Sequence, residues 1–291
     1  MIQGRVLLGV DMTVPTITLN DQTSIPQFGL GVWQVPPAEA EAVVSQGLEL
    51  GYRHIDTAQM YQNEEGVGAA LAAAGLGRDE VYVTTKLNNG FHEAARAKDS
   101  LARSLEKLRL DRVDLFLIHW PLPTQYDGDF SATWEALVEL REQGLTTSIG
   151  VSNFQPDHLD TIVRATGVVP AVNQIEVHPF FTNEAARAAT IGHGARVEAW
   201  SPLGKGAFAD PLIASIANKH GKSPAQVTLR WHLDRGDIIF PKSTHRERLA
   251  ENLDVFDFAL SPDEVDAIAT LDQGEQGRTG PNPDVFDWIP A

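Results

Sequence analysis

A chain of 291 residues is long enough for one undivided α/β barrel or for two ordinary domains. Its formal net charge of −16, from 23 basic against 39 acidic residues, argues against nucleic acid or an anionic membrane as partner, so any bound anion must be gripped by a local basic cluster. There is no cysteine, which excludes disulfides, thiolate zinc sites and cysteine nucleophiles.

The opening "MIQGRVLLGVDM" has one arginine and a very short apolar run without a small-residue cleavage site. No stretch approaches transmembrane length, so a cytoplasmic protein is expected. Residues 1–11 fit the rest poorly and read as a non-native or disordered extension, with Met12 a candidate start. From there, "TLNDQTSIPQ" (18–27) reads as a small hairpin turning at Asn-Asp. Strand-like runs follow at "FGLGV" (28–32), "YRHID" (52–56), "VYVTTK" (81–86), "VDLFLIH" (113–119), "TSIGVS" (147–152), "AVNQIEV" (171–177), "RVEAWS" (196–201) and "DIIFPKS" (237–243). Between them lie amphipathic segments such as "PAEAEAVVSQGLELG" and "AARAKDSLARSLEKLRL", with apolar residues recurring at three and four and Gly just past several ends. "SPDEVDAIATL" (261–271) is an extra helix, with Ser261 as N-cap and Glu264 completing a capping box.

Eight strand-then-helix units without a Pro/Gly/Ser linker predict a single (β/α)8 barrel domain over 1–291, with an N-terminal β-hairpin and extra helices. A doubly wound sheet would carry G-x-G-x-x-G after its first strand. "GLG" at 29–31 lacks the third glycine, so the barrel is preferred.

In such a barrel the active site lies at the carboxyl ends of the strands. Those ends carry Trp33, Asp56, Lys86, His119, Ser152 with Asn153, Gln174 with Glu176, Trp200 with Ser201, and Lys242 with Ser243. Neighbouring strands two, three and four end in Asp56, Lys86 and His119, so these three should converge, with Tyr61 on the loop beside them. Asp56–Lys86 reads either as a structural ion pair or as catalytic machinery. In the second reading Lys86 lowers the pKa of the Tyr61 phenol from its ordinary ~10, Asp56 fixes the lysine and His119 donates to a substrate oxygen.

"DTAQMYQNE", "TTKL", "LIHWP", "IGVSNF", "VNQIEVHP", "SPLG" and "IIFPKSTHRERLAENL" stand in the order and spacing of a known family. From about Thr16 onward the chain resembles the aldo-keto reductases, most of all the bacterial 2,5-diketo-D-gluconate reductase-like members. The resemblance implies an NADPH-dependent enzyme reducing small aldehydes, ketones or dicarbonyls, with a tetrad of Asp56, Tyr61, Lys86 and His119 and Tyr61 as general acid. It implies NADPH lying across the barrel mouth, with Ser152, Asn153 and Gln174 on the carboxamide and Trp200 stacked on the nicotinamide. Ser201, Leu203 and Gly204 of "SPLG" join them. Ser152 also reads as a plain helix cap, and His54 and His178 as structural histidines.

"KSTHRERLAEN" (242–252) supplies the local basic cluster at a helix start. Lys242 and Arg248 can grip a 2′-phosphate, Ser243 and Thr244 can donate to it, and Glu251 and Asn252 match the family's adenine contacts. NADPH should therefore be preferred, with NADH weaker. His245, where relatives often carry arginine, removes one permanent charge.

Trp33, Trp120 and Trp288 are the expected substrate walls, together with His119. "TTKLNN" places Asn88 where many relatives carry an indole, which should widen or polarise that side. No metal is expected. A barrel metallohydrolase using Asp56, His119, Glu176 and His178 lacks the usual H-x-H on strand one. A nucleotide-binding subunit with little turnover is the non-enzymatic alternative, and a monomer is the expected state.

Overall fold

The computed structural model describes residues 14–290. The reading of residues 1–11 as an extension falls outside them. The chain begins with an antiparallel hairpin, β1 (Thr16–Thr18) paired to β2 (Ser24–Pro26) with Ile17 opposite Ile25. Asp21 Oδ1 accepts from the Thr23 amide and hydroxyl, which closes the turn.

Eight parallel strands follow: β3 (Leu30–Gly31), β4 (His54–Asp56), β5 (Tyr82–Leu87), β6 (Val113–Ile118), β7 (Thr146–Ser152), β8 (Val172–Glu176), β9 (Arg196–Trp200) and β10 (Ile238–Ile239). Each pairs with the next in sequence. The last returns to the first: Phe28 bridges Ile239, and the amides of Gly29 and Gly31 donate to Ile239 and Phe240 at 2.7 and 3.1 Å. The sheet is a closed (β/α)8 barrel. At this seam Gly31 is required, because a Cβ there would lie 2.5 Å from the Phe240 carbonyl oxygen. The runs at 28–32 and 237–243 pair over only two residues each as named strands. Pro241 has no N–H to donate, so Lys242 and Ser243 lie in the loop beyond β10.

The helices are α1 (Pro37–Leu50), α2 (Glu64–Ala73), α3 (Ala94–Leu108), α4 (Ser131–Glu142), α5 (Pro156–Thr166), α6 (Glu184–Gly192), α7 (Pro211–His220), α8 (Pro224–Asp234), α9 (Arg246–Leu253) and α10 (Pro262–Ala269). The capping box at Ser261 and Glu264 forms as expected, with bonds of 3.3 and 2.8 Å. No helix among the described residues is long and apolar enough to cross a membrane.

Strand alternation sorts side chains between two environments. Ile55, Val83, Phe116, Ile118, Ile149, Val151 and Ile175 point outward into the main core shared with the helices. Leu115, Leu117, Val172 and Ile238 point inward, where Leu19 and Ile25 of the hairpin cover them. Asn20 donating to Pro170 O and Thr23 bonded to Ser148 tie the hairpin to that end of the barrel. The inward parity that buries Leu115 and Leu117 delivers His119 to the opposite, carboxyl end. The same rule on the other strands delivers Asp56, Lys86, Ser152, Gln174 and Trp200.

Candidate active site

The carboxyl ends of the strands enclose a cavity of about 650 Å³ lined by Tyr61, His119, Trp120, Gln174, Trp200 and Lys242 among others. Asp56, from β4, accepts from the Lys86 ammonium of β5 at 2.6 Å. Lys86 Nζ also donates to Thr57 O at 2.8 Å and to the Tyr61 hydroxyl at 3.4 Å. All three donors of this fully buried ammonium are thereby used. Tyr61 ends a short 3-10 turn, Gln59–Tyr61, that directly follows the exit of β4. Its ring meets that of His119 edge-on, with centroids 5.7 Å apart.

The electrostatics differ from the sequence expectation in one sign. Lys86 does act to lower the Tyr61 pKa, through its charge and its hydrogen bond. Burial of the phenol acts in the opposite direction and is the larger effect, so the net direction is upward despite Lys86. For Lys86, burial disfavours the ammonium, but the charges and hydrogen bonds of Asp56 and Tyr61 outweigh it and keep it charged. Burial, reinforced by the Lys86 charge, holds His119 well below its ordinary value and therefore neutral.

Gln174 extends the cluster. Its side-chain amide nitrogen donates to Asp56 Oδ2 at 3.0 Å and to Glu198 Oε2 at 2.9 Å, and its side-chain oxygen makes no bond to described residues. Two carboxyl groups thus dictate which end of the Gln174 amide is left for the cavity. Glu198 is the member that strand-exit reading missed. It sits two residues before Trp200 on the same inward face, is fully buried, and is pushed up to about 8 by burial and by the neighbouring Asp56. An acidic residue at inward parity inside "RVEAWS" was the available signal.

Asn153 adopts a left-handed backbone, φ 66°, and binds three partners: it donates to His119 O and Ser152 Oγ, each at 3.0 Å, and accepts from the Trp200 indole at 2.9 Å. Ser152 donates onward to Gln174 O at 2.8 Å rather than capping α5. Ser201, Leu203 and Gly204 also line the cavity. Lys242, at the cavity's edge, and Arg248, beyond it, are exposed and, among the described residues, in no ion pair. Ser243 Oγ accepts from the His245 amide, and Asn252 is buried while Thr244 and Glu251 keep exposed surface. Ser243, Thr244, Arg248, Glu251 and Asn252 form a separate edge outside the cavity lining.

Trp33 and Trp288 line the mouth with about half their surface exposed, and Trp120 packs on Phe286 at 4.2 Å. Asn88 is not in the lining. Its side chain accepts from the Gly90 amide at 2.8 Å and so caps a short turn, which corrects its placement as a pocket wall. Glu64, in the first turn of α2, is buried and accepts from the Thr85 hydroxyl at 2.7 Å. Thr279, Gly280 and Phe286 of the carboxyl-terminal segment, unassigned from sequence, line the cavity too. Among the described residues no three His, Asp or Glu side chains are grouped to hold a metal ion.

The Aldo/keto reductase family pattern matches residues 25–273. The chain belongs to the aldo/keto reductase family. This reductase is 49% identical over 278 residues to an aldo-keto reductase of Mycolicibacterium smegmatis, covering 94% of the chain and 98% of the relative. It is 47% identical to methylglyoxal reductase DkgA of Escherichia coli, covering 94% and 99%. Among solved structures, an aspartate-to-alanine variant of Gox0644 in complex with NADPH superposes with a TM-score of 0.90 at 46% identity, covering 95% of this chain and all of that one.

Proposed function

We propose that this reductase converts small aldehydes, ketones or dicarbonyls to alcohols, using NADPH and with Tyr61 as the general acid. The observation that carries the reading is the Tyr61 hydroxyl 3.4 Å from a charged, fully buried Lys86 at the wall of an aromatic-lined cavity. The identity to a methylglyoxal reductase and the NADPH complex of a structural relative support the substrate class and cofactor.

The residues present fit a reduced dinucleotide. The Gln174 side-chain oxygen, unbonded among the described residues, can accept from a carboxamide, Trp200 offers a stacking face, and Lys242 and Arg248 offer cations with no carboxylate partner among those residues. When bound, the cofactor supplies a hydride to the substrate carbon. Tyr61 gives its proton to the carbonyl oxygen as negative charge develops there. The upward displacement of its pKa keeps that proton in place at neutral pH. Lys86 then stabilises the phenolate left behind, and Asp56 with Thr57 O keeps the ammonium aimed. His119, neutral, can donate to the same oxygen without adding charge.

Following NADPH absorbance with methylglyoxal and simple aldehydes tests the reading. Turnover is expected from the wild type and a loss of at least about a hundredfold in kcat from Tyr61→Phe, with NADPH affinity nearly unchanged. Wild-type kcat in that variant would remove Tyr61 as the acid. Tight nucleotide binding without turnover on a broad carbonyl panel would point to a binding subunit.

A further inference from the structure

Glu176 ends β8 on the inward face, yet its carboxylate is turned to a segment a hundred residues away. Oε1 accepts from the Thr279 amide at 2.7 Å and from the Thr279 hydroxyl at 2.5 Å, while Oε2 accepts from the Gly280 amide at 3.0 Å. His178 Nε2 approaches Oε1 at 3.1 Å. Burial disfavours this charge, but the four partners outweigh burial and hold the carboxyl below its ordinary range. A carboxylate that gathers two successive backbone amides and a hydroxyl is a strong local anchor.

What it anchors is in contact with the ring expected to stack on the cofactor. A Cβ on Gly280 would lie 2.4 Å from Cη2 and 3.3 Å from Cζ2 of Trp200, so the glycine backbone packs against the six-membered ring with no room for a side chain. The opposite end of the same indole is held by Asn153 Oδ1, which accepts its N–H at 2.9 Å. Trp200 is therefore gripped at two points, one a direct hydrogen bond and the other steric. The segment reaches this contact after a 3-10 turn, Gly274–Gly277, and the stacking of Arg278 on Phe181, and at Thr279 and Gly280 themselves the Glu176 carboxylate holds the backbone.

We propose that Glu176 is a positioning residue for cofactor binding: it clamps the carboxyl-terminal segment through Thr279 and Gly280, and Gly280 in turn fixes the Trp200 indole. The proposal rests on the reading that Trp200 stacks on the nicotinamide. Stacking strength depends on ring placement, so a loosened indole weakens binding without removing any atom that touches the cofactor. Gly280→Ala attacks the same contact from the tail side: it keeps every donor to the carboxylate, and its Cβ would press chiefly on Trp200, at 2.4 Å, and secondarily on Glu176 Oε2, at 3.1 Å.

The test is a set of NADPH dissociation constants, read by enhancement of the nucleotide's own fluorescence, with circular dichroism as the check on folding. Trp200→Ala, Glu176→Gln and Gly280→Ala should each weaken NADPH by about fivefold or more. In the Trp200→Ala background, adding Glu176→Gln or Gly280→Ala should change affinity by less than about twofold, since the ring they position is gone. Full additivity of the effects would overturn the clamp. Weakening by Trp200→Ala alone, with Glu176→Gln and Gly280→Ala binding as the wild type, would also overturn it and leave the cofactor reading intact. Unchanged affinity in Trp200→Ala would overturn the cofactor placement and the clamp together. Where Glu176→Gln does not fold, Gly280→Ala decides, because it lies on an irregular segment outside the barrel and the helices.

Discussion

Gln174 and Glu198 are partners across adjacent parallel strands, and the amide of one donates to the buried carboxyl of the other at 2.9 Å. The other Glu198 oxygen has no partner among the described residues. Such a group is held neutral by its surroundings, with burial and then the Asp56 charge pushing it up to about 8 from 4.5. The sign of the linkage follows. Between these values the unfolded carboxyl is ionised and the folded one protonated, so the stability it contributes is full below the unfolded value and is lost as pH rises through the folded one. The slope is about 1.4 kcal/mol per pH unit at most. Glu198→Gln should abolish that component: the variant gains on the wild type from about pH 5 to about pH 8, measured by chemical denaturation. A pH-independent difference between the two proteins would show that Glu198 is ionised in the fold.

Asp56 and Lys86 raise a question that geometry alone leaves open, since a buried ion pair serves structure and chemistry in the same position. Variants separate the two. Lys86→Met strands the Asp56 carboxylate in the interior and should cost about 3–5 kcal/mol of stability. Adding Asp56→Asn removes the stranded charge and should return much of that loss. Turnover should stay at least about a hundredfold below wild type in both, because neither has an ammonium to stabilise the Tyr61 phenolate. Recovery of turnover along with stability in the double variant would assign the pair to structure.

Asn63 shows how the loop carrying Tyr61 is held. Its side-chain amide donates to Val32 O at 2.9 Å and Val35 O at 3.2 Å, and its oxygen accepts from the Thr57 hydroxyl at 2.9 Å. It staples the exit of β3 to that of β4, and it does not cap α2 with its side chain. Asn63→Ala leaves Val35 O and the Thr57 hydroxyl without a partner, while Val32 O keeps the Val35 amide, so a destabilisation of about 2–3 kcal/mol is expected from denaturant unfolding. A change within about 0.5 kcal/mol would mean that water replaces the amide.

The barrel was legible because its signals are local. Eight β-rich runs separated by amphipathic stretches, and the absence of a glycine fingerprint, depend only on neighbours in sequence. The same alternation predicts which strand-exit residues face inward, and Asp56, Tyr61, Lys86 and His119 do come together. Reading only the last residue of each strand hid Glu198, one inward step deeper. The sign at Tyr61 was not legible, because burial is a property of the packed mouth and outweighs the lysine. Asn88 was compared with an indole in relatives, whereas its short side chain finds the Gly90 amide locally. The link from Glu176 to Thr279 and Gly280 spans more than a hundred residues and leaves no periodic trace.

The basic stretch at 242–252 contains one cation that is already engaged. Arg246 donates to Glu49 of α1 at 2.7 Å, whereas Lys242 and Arg248 are exposed and, among the described residues, bear no carboxylate. The first amides of α9 also lack a side-chain cap. A 2′-phosphate would therefore draw on Lys242 and Arg248 rather than on all three cations. Arg248→Ala should raise KM for NADPH about tenfold and leave KM for NADH within about twofold, since a charge-assisted contact to a phosphate is present with one nucleotide only. Arg246→Ala is the internal control and should shift both by less than about threefold, because its charge is offset by Glu49. Equal effects of Arg248→Ala on the two nucleotides would move the phosphate elsewhere. A larger NADPH effect from Arg246→Ala than from Arg248→Ala would show that the Glu49 pair opens to release its arginine.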